Sequence, residues 1–183
     1  YPLLSTSAKT FISMSWSSVR DIAHNRVNAV STMSAVAVTA GLYVSDTTGP
    51  SLLSFDTYDP NIPSFTLVFD KPVDLSTLTV SGIGFSSDFN SAVTYLATSS
   101  SSSSNGRTVV VSLSLSDFQS ILSDNRICSL QGGCWITIGS SAIKDFSGNS
   151  VNDLSLGTGS NRTPHTFVSD TTGPVISGFS LDY

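Results

Sequence analysis

The sequence predicts an all-β fold: a β-sandwich repeated in tandem, with one short helix in each repeat. Three observations carry that prediction. The hexapeptide "SDTTGP" occurs at Ser45–Pro50 and again at Ser169–Pro174, 124 residues later. Short segments of alternating apolar and polar residues are separated by Gly, Pro, Asn and Ser, the pattern of half-buried strands joined by turns. All 13 acidic residues are Asp, and Ser plus Thr make up 57 of the 183 residues, which disfavours helix and favours strands and turns.

The self-similarity is wider than the hexapeptide. With no gap, "SSVRDIAHNRVNAVS" (Ser17–Ser31) falls on "SAIKDFSGNSVNDLS" (Ser141–Ser155). Ser17, Asp21, Asn25, Val27, Asn28 and Ser31 meet identical residues. Arg20 meets Lys144, Val19 meets Ile143 and Ile22 meets Phe146, so charge and hydrophobicity are kept. Tyr43 and Val44 fall on Phe167 and Val168, and Phe55 falls on Phe179. A period of this length is the size of a whole small domain. It divides the chain into the C-terminal part of a repeat (1–46), a complete repeat (47–169) and the first strand of the next (170–183). On that division the chain reads as an excerpt from a longer protein. The alternative is that 1–46 is completed by strands of a neighbouring chain.

The elements of the complete repeat follow in order. "SLLSFD" (Ser51–Asp56) reads as its first strand, and "YDPNIP" (Tyr58–Pro63) as a turn with two prolines. "SFTLVFD" (Ser64–Asp70) places Phe65, Leu67 and Phe69 on one face. Pro72 then blocks continuation of that strand, and Leu75, Leu78 and Val80 return to the core. "SAVTYLA" (Ser91–Ala97) is another strand, and "RTVVVSLS" (Arg107–Ser114), the most β-branched stretch, is a central one. "SDFQSILSD" breaks the alternation, and Ser116 with Gln119 forms a capping box, predicting a helix over 116–123. "CWITIG" and "PHTFVS" close the repeat as late strands. In the first partial repeat, the alternating run "AVAVTAGLYV" reads as a strand.

Composition excludes some partners. Net charge is −5 with no basic cluster, which argues against nucleic acid. No apolar run approaches the ~20 residues of a membrane-spanning helix.

Cys128 and Cys134, in "CSLQGGC", are expected to form a disulfide around Gly132 and Gly133. Closing so short a loop contributes about 2.4 kcal/mol in the chain-entropy account, and a disulfide implies an oxidising compartment. The alternative is a pair of reduced, half-buried thiols. Zinc is poorly supported, because no histidine lies near. The tract Thr98, Ser99, Ser100, Ser101, Ser102, Ser103 and Ser104 reads as a flexible hairpin tip and as a candidate for O-linked glycans. Asn161, in Asn161-Arg162-Thr163, is the N-glycosylation candidate.

Three ordered motifs carry a family likeness: Asp46-Thr47-Thr48-Gly49-Pro50, then Phe69-Asp70-Lys71-Pro72-Val73-Asp74, then Ile143 to Val151, "IKDFSGNSV". With them the chain resembles the bacterial-type Ig-like repeats of surface-layer proteins and of large cyanobacterial and algal surface proteins. The inserted helix is similar to that of long repeat proteins of aquatic microbial eukaryotes, including the mastigonemes of flagella. The resemblance implies an Ig-like sandwich and a structural, extracellular role. The first partial repeat departs from it, since Ala23-His24 stands where Ser147-Gly148 does, so the turn there is expected to adapt.

The same residues make sense locally. Asp145 can accept backbone hydrogen bonds in an Asx-turn, and Gly148-Asn149 supplies positions of positive φ. Asp46, Gly49 and Pro50, and again Asp170, Gly173 and Pro174, form an inter-domain joint that ends one sandwich and stiffens entry to the next. No catalytic residue is expected: His24 and His165 have no matched partners and do not recur at the 124-residue offset. No cofactor is expected either. Calcium at the joints, using Asp46 and Asp170 with Asp21 and Asp145, is the variant weighed against that, with one carboxylate per joint as the objection.

These readings converge on a non-enzymatic segment of an extracellular, glycosylated fibre or flagellar hair. Its partners would be neighbouring repeats, other copies of the chain, and glycans. The alternative is the stalk of a cell-surface adhesin that carries a distant ligand-binding domain.

Overall fold

The computed structural model describes residues 10–89, 95–98, 100–102, 104–155, 157, 162–173, 175, 178 and 180. These are mostly β, with several sheets and one α-helix. The chain divides into two compact units, Tyr1–Thr48 and Gly49–Tyr183.

In the first unit, β1 (Phe11–Ile12) pairs antiparallel with β2 (Val36–Ala37). The alternating run expected to be one strand is mostly not a strand. After Ala37 it turns into a short 3-10 helix at Ala40–Leu42. Among the described residues of this unit few apolar neighbours hold a longer strand: Val36 and Leu42 stay exposed.

The second unit holds the core. β3 (Leu52–Asp59), β4 (Ser64–Asp74), β8 (Gly106–Leu113) and β7 (Ser100–Ser102) lie side by side and antiparallel. β11 (Thr166–Phe167) joins the other edge of β3 in parallel, and β10 (Lys144–Asp145) pairs with β4. A second sheet has the order β6 (Tyr95–Leu96), β5 (Ile83–Ser86), β9 (Trp135–Ile138). Phe65, Leu67 and Phe69 of β4 and Val109, Val111 and Leu113 of β8 are buried, as the period-2 pattern requires. They meet Ile83 and Phe85 of β5 and Ile136 and Ile138 of β9 in one core.

Four local expectations need correction. β4 does not stop at Pro72 but runs to Asp74. Its ladder with β8 skips from Val68 to Val73, so the proline sits in an irregularity where no ladder N–H is needed. Tyr58 belongs to β3, not to the turn, and is fully buried. The helix α1 spans Leu115–Ser123, and its cap is Ser114, whose Oγ accepts from the N–H of Asp117 at 3.0 Å. A Ser-x-x-Asp box therefore starts the helix directly after β8, two residues ahead of the Ser116 box. The serine tract is not all hairpin tip: Ser100–Ser102 form β7 and pair with Leu113–Val111.

Tyr58 gives a measurable pH response. Its ring stacks on Phe167 at 5.8 Å, and its buried hydroxyl has no hydrogen-bond partner. Burial, aided by the charge of Asp170, pushes its pKa up to about 12 from 10.0. The folded state thus holds the proton more tightly than the unfolded chain. Its contribution is fully present below pH 10 and is lost as pH rises through about 12. Chemical denaturation as a function of pH should show stability falling across this window by about 3 kcal/mol. Tyr58→Phe should remove that slope and cost under about 1 kcal/mol at neutral pH, because no hydrogen bond is lost.

Candidate functional site

The residues singled out as joints adopt matching local structures. Asp46 Oδ1 accepts from the N–H and the hydroxyl of Thr48, both at 3.0 Å. Asp170 Oδ1 accepts from the N–H and the hydroxyl of Thr172, again both at 3.0 Å. A short carboxylate that bonds two residues ahead closes an Asx-turn, which explains Asp and Thr at these two positions. Around the second joint, Asn61 also takes part: its Nδ2 donates to the Ser169 carbonyl, and its Oδ1 accepts from the N–H of Thr171.

The closing turns match as well. Asp145 Oδ1 accepts from the N–H groups of Ser147 and Asn149, and Oδ2 accepts from Asn149 Nδ2. Asp21 Oδ1 accepts from Ala23 and Asn25, and Oδ2 accepts from Asn25 Nδ2. The Asn25 side chain, and then its backbone N–H, holds the Asp21 carboxyl below its ordinary pKa. The backbone bond His24 N–H to Asp21 O corresponds to Gly148 N–H to Asp145 O. Val27 to Val19 corresponds to Val151 to Ile143. The reciprocal pair Met14–Val30 corresponds to Ile138–Leu154, and Ser18 to Ser15 corresponds to Ala142 to Gly139.

The first turn therefore does not adapt to losing its glycine. His24 takes φ 65° where Gly148 has φ 87°. Among the described residues Gly148, and not Asn149, carries the positive φ in the second turn. A side chain at positive φ is unfavourable, so His24→Gly should stabilise the first turn by roughly 0.5–1 kcal/mol. The readout is hydrogen exchange at the Asn25 amide, which should slow a few-fold.

The remaining candidate residues fall as follows. Cys128 and Cys134 are joined by a disulfide. Thr98 donates both its N–H and its hydroxyl to Asp117 Oδ1, a fully buried carboxylate on α1. The only sequence signal for Asp117 was the Ser-x-x-Asp spacing from Ser114, which overlaps the Ser116–Gln119 box. Ser104 is exposed. Asn161, Ser99, Ser103 and Pro174 lie outside the described residues. His24 and His165 are exposed, with His165 Nδ1 4.0 Å from Asp56 Oδ1. Among the described residues no three His, Cys, Asp or Glu side chains gather as a metal site. No described helix is long and apolar enough to cross a membrane.

No family model and no curated protein sequence matches the chain. One solved structure is similar to it: the crystal structure of an S-layer protein, rSbsC(31-844). The TM-score is 0.41 and the identity 20%, over 68% of this chain and 14% of that one.

Proposed function

We propose that the chain is a non-enzymatic structural segment of an extracellular fibre or cell-surface hair, built from tandem Ig-like sandwiches. The observation that supports this is the recurrence, 124 residues apart, of one hydrogen-bond set at the closing turn and one at the joint. Identical joints between identical domains would give a constant rise and twist, which is what a rod requires. The Cys128–Cys134 disulfide favours an oxidising, extracellular setting. The low charge and the Ser/Thr content suit a glycan-coated surface. Glycans on Asn161 and on Ser99 to Ser104 belong to this reading. Thr98 is set apart, because its hydroxyl is committed to Asp117. This reading assigns no role to calcium at the joints, the objection being the single carboxylate that each joint brings.

Electron microscopy of the native protein tests the proposal. Regular filaments with a repeat of one or a few domain lengths are expected. Isolated beaded strings that end in a distinct head would overturn it in favour of an adhesin stalk.

A further inference from the structure

Strand β3 ends at Asp59, and Pro60 follows it with no N–H to offer. Its parallel partner β11 ends at Phe167, and the chain then enters the second hexapeptide. Backbone pairing carries as far as the Val168 N–H, which donates to the Tyr58 carbonyl at 3.0 Å. Past that point a side chain makes the contact. Asn61 Nδ2 donates to the Ser169 carbonyl at 3.0 Å, and Asn61 Oδ1 accepts from the Thr171 N–H at 3.1 Å. Those two backbone groups flank Asp170. A residue in a parallel ladder bonds its neighbour strand likewise, taking one carbonyl and one N–H on either side of a single residue. The Asn61 amide therefore acts as one more rung of the ladder, beyond the proline that ends it.

The amide is held ready for this contact. Asp59 Oδ1 accepts from the Asn61 N–H at 2.9 Å and from Asn61 Nδ2 at 3.3 Å. A carboxylate beside Nδ2 fixes which end of the amide is nitrogen, so Oδ1 is turned to Thr171. The turn after β3 closes through the backbone of Asn61, which leaves its side chain for the hexapeptide. The Thr171 hydroxyl also lies 3.4 Å from Asn61 Oδ1, whereas Thr172 is bound by Asp170 inside the hexapeptide. The two threonines thus have different partners. The segment is tied ahead of β11 as well. Gln131 Nε2, on the disulfide loop, donates to the carbonyls of Pro164 at 2.7 Å and His165 at 3.3 Å, and the His165 N–H donates to the Phe55 carbonyl.

We propose that Asn61 is the positioning residue of the second joint: its side-chain amide binds the hexapeptide as a strand would and fixes the direction of the chain through Ser169–Thr172. The Asx-turn of Asp170 gives the segment its shape but joins only Asp170 to Thr172, so it does not tie that shape to the sheet. Asparagine is the side chain the position needs, because a donor and an acceptor must sit on one short planar group. Aspartate has the same size but loses the donor, and it would set a second carboxylate against Asp59. Calling this segment a joint rests on the reading above; its binding by Asn61 does not.

The test measures residual dipolar couplings and amide hydrogen exchange on the 183-residue chain. In the parent, the N–H couplings of Thr171 and Thr172 should fit the same alignment as β3, β4 and β8. In Asn61→Ala, and equally in Asn61→Asp, they should shrink toward zero, and exchange at the Thr171 amide should speed by about 10-fold. Exchange at Val168, Ile138, Val151 and Leu154 should stay within about 2-fold of the parent, because β11 and the core keep their own bonds. Gln131→Ala should do the reverse, loosening His165 and leaving Thr171 as it was. Unchanged couplings at Thr171 and Thr172 in either Asn61 variant would overturn the proposal and leave the Asx-turn to set the direction. Loss of protection at Val168 together with Thr171 would overturn it too, because Asn61 would then hold β11 on the sheet rather than orient the hexapeptide. None of these results depends on whether the native protein forms filaments, so the positioning role and the fibre reading fail separately.

Discussion

Phe85→Ala should lower the urea-unfolding free energy of the 49–183 unit by about 3–5 kcal/mol. Phe85 is fully buried in β5. Its ring centroid lies 5.3 Å from Phe65, 6.4 Å from Phe55 and 6.5 Å from Tyr58, each pair edge-on. Those three rings come from β3 and β4, in the other sheet. One side chain therefore links both sheets, and truncation leaves a cavity that rigid strands on either side close poorly. Edge-to-face pairs add about 0.5–1.5 kcal/mol beyond area burial, so losing three of them places the cost at the upper end of the range. Phe85→Leu refills most of the space and should cost about 1.5 kcal/mol. Leu53→Ala, on the exposed face of β3, should stay within about 0.5 kcal/mol. An unchanged midpoint for Phe85→Ala would remove the core as described. A changed slope with denaturant would instead mean that the unfolded state had changed.

Strands whose two faces differ were legible in the sequence. Phe65, Leu67 and Phe69 alternate with Thr66 and Val68, and only one face can be buried. The helix was legible for the same kind of reason, since Phe118, Ile121 and Leu122 cannot share a strand face. Its cap was misplaced because two Ser-x-x patterns overlap, and the choice between them depends on where β8 ends. The extension of β4 past Pro72 was hidden because it depends on a non-local partner, β10, some 70 residues away. Tyr58 was read as turn because Asp59 and Pro60 follow it. Its burial comes from Phe167 and Phe85, which no local window contains. At the candidate site the identities at the 124-residue offset located the two matching closing turns and the two matching Asx-turns of the hexapeptides. They did not show that a histidine would take the glycine's φ. They also did not explain Asn28 and Asn152, because the second asparagine's bonds run to residues about 100 positions earlier.

Gly49→Ala and Gly173→Ala should give opposite results, although the two glycines sit in the same hexapeptide. A Cβ on Gly49 would fall 1.8 Å from the Ser150 carbonyl oxygen and 3.0 Å from its carbon. Both are backbone atoms, fixed by the bridge between Ser150 and Lys144. Neither side can yield without opening the Asn152 to Pro50 bond at 2.8 Å. Gly49→Ala should therefore cost about 2–3 kcal/mol, measured on thermal or urea unfolding of the 183-residue chain. Among the described residues a Cβ on Gly173 meets nothing within 4 Å, so Gly173→Ala should lie within about 0.5 kcal/mol of the parent. Gly49 is thus required by the closing segment of its own unit. Ser150 stands 101 residues after Gly49, and the position 101 residues after Gly173 lies past Tyr183. If the tandem reading holds, appending a copy of residues 51–155 after Pro174 should make Gly173→Ala as costly as Gly49→Ala. Equal, small costs for both substitutions in the 183-residue chain would mean that Gly49 is not pressed against Ser150. The hexapeptide would then owe its glycine to the turn alone.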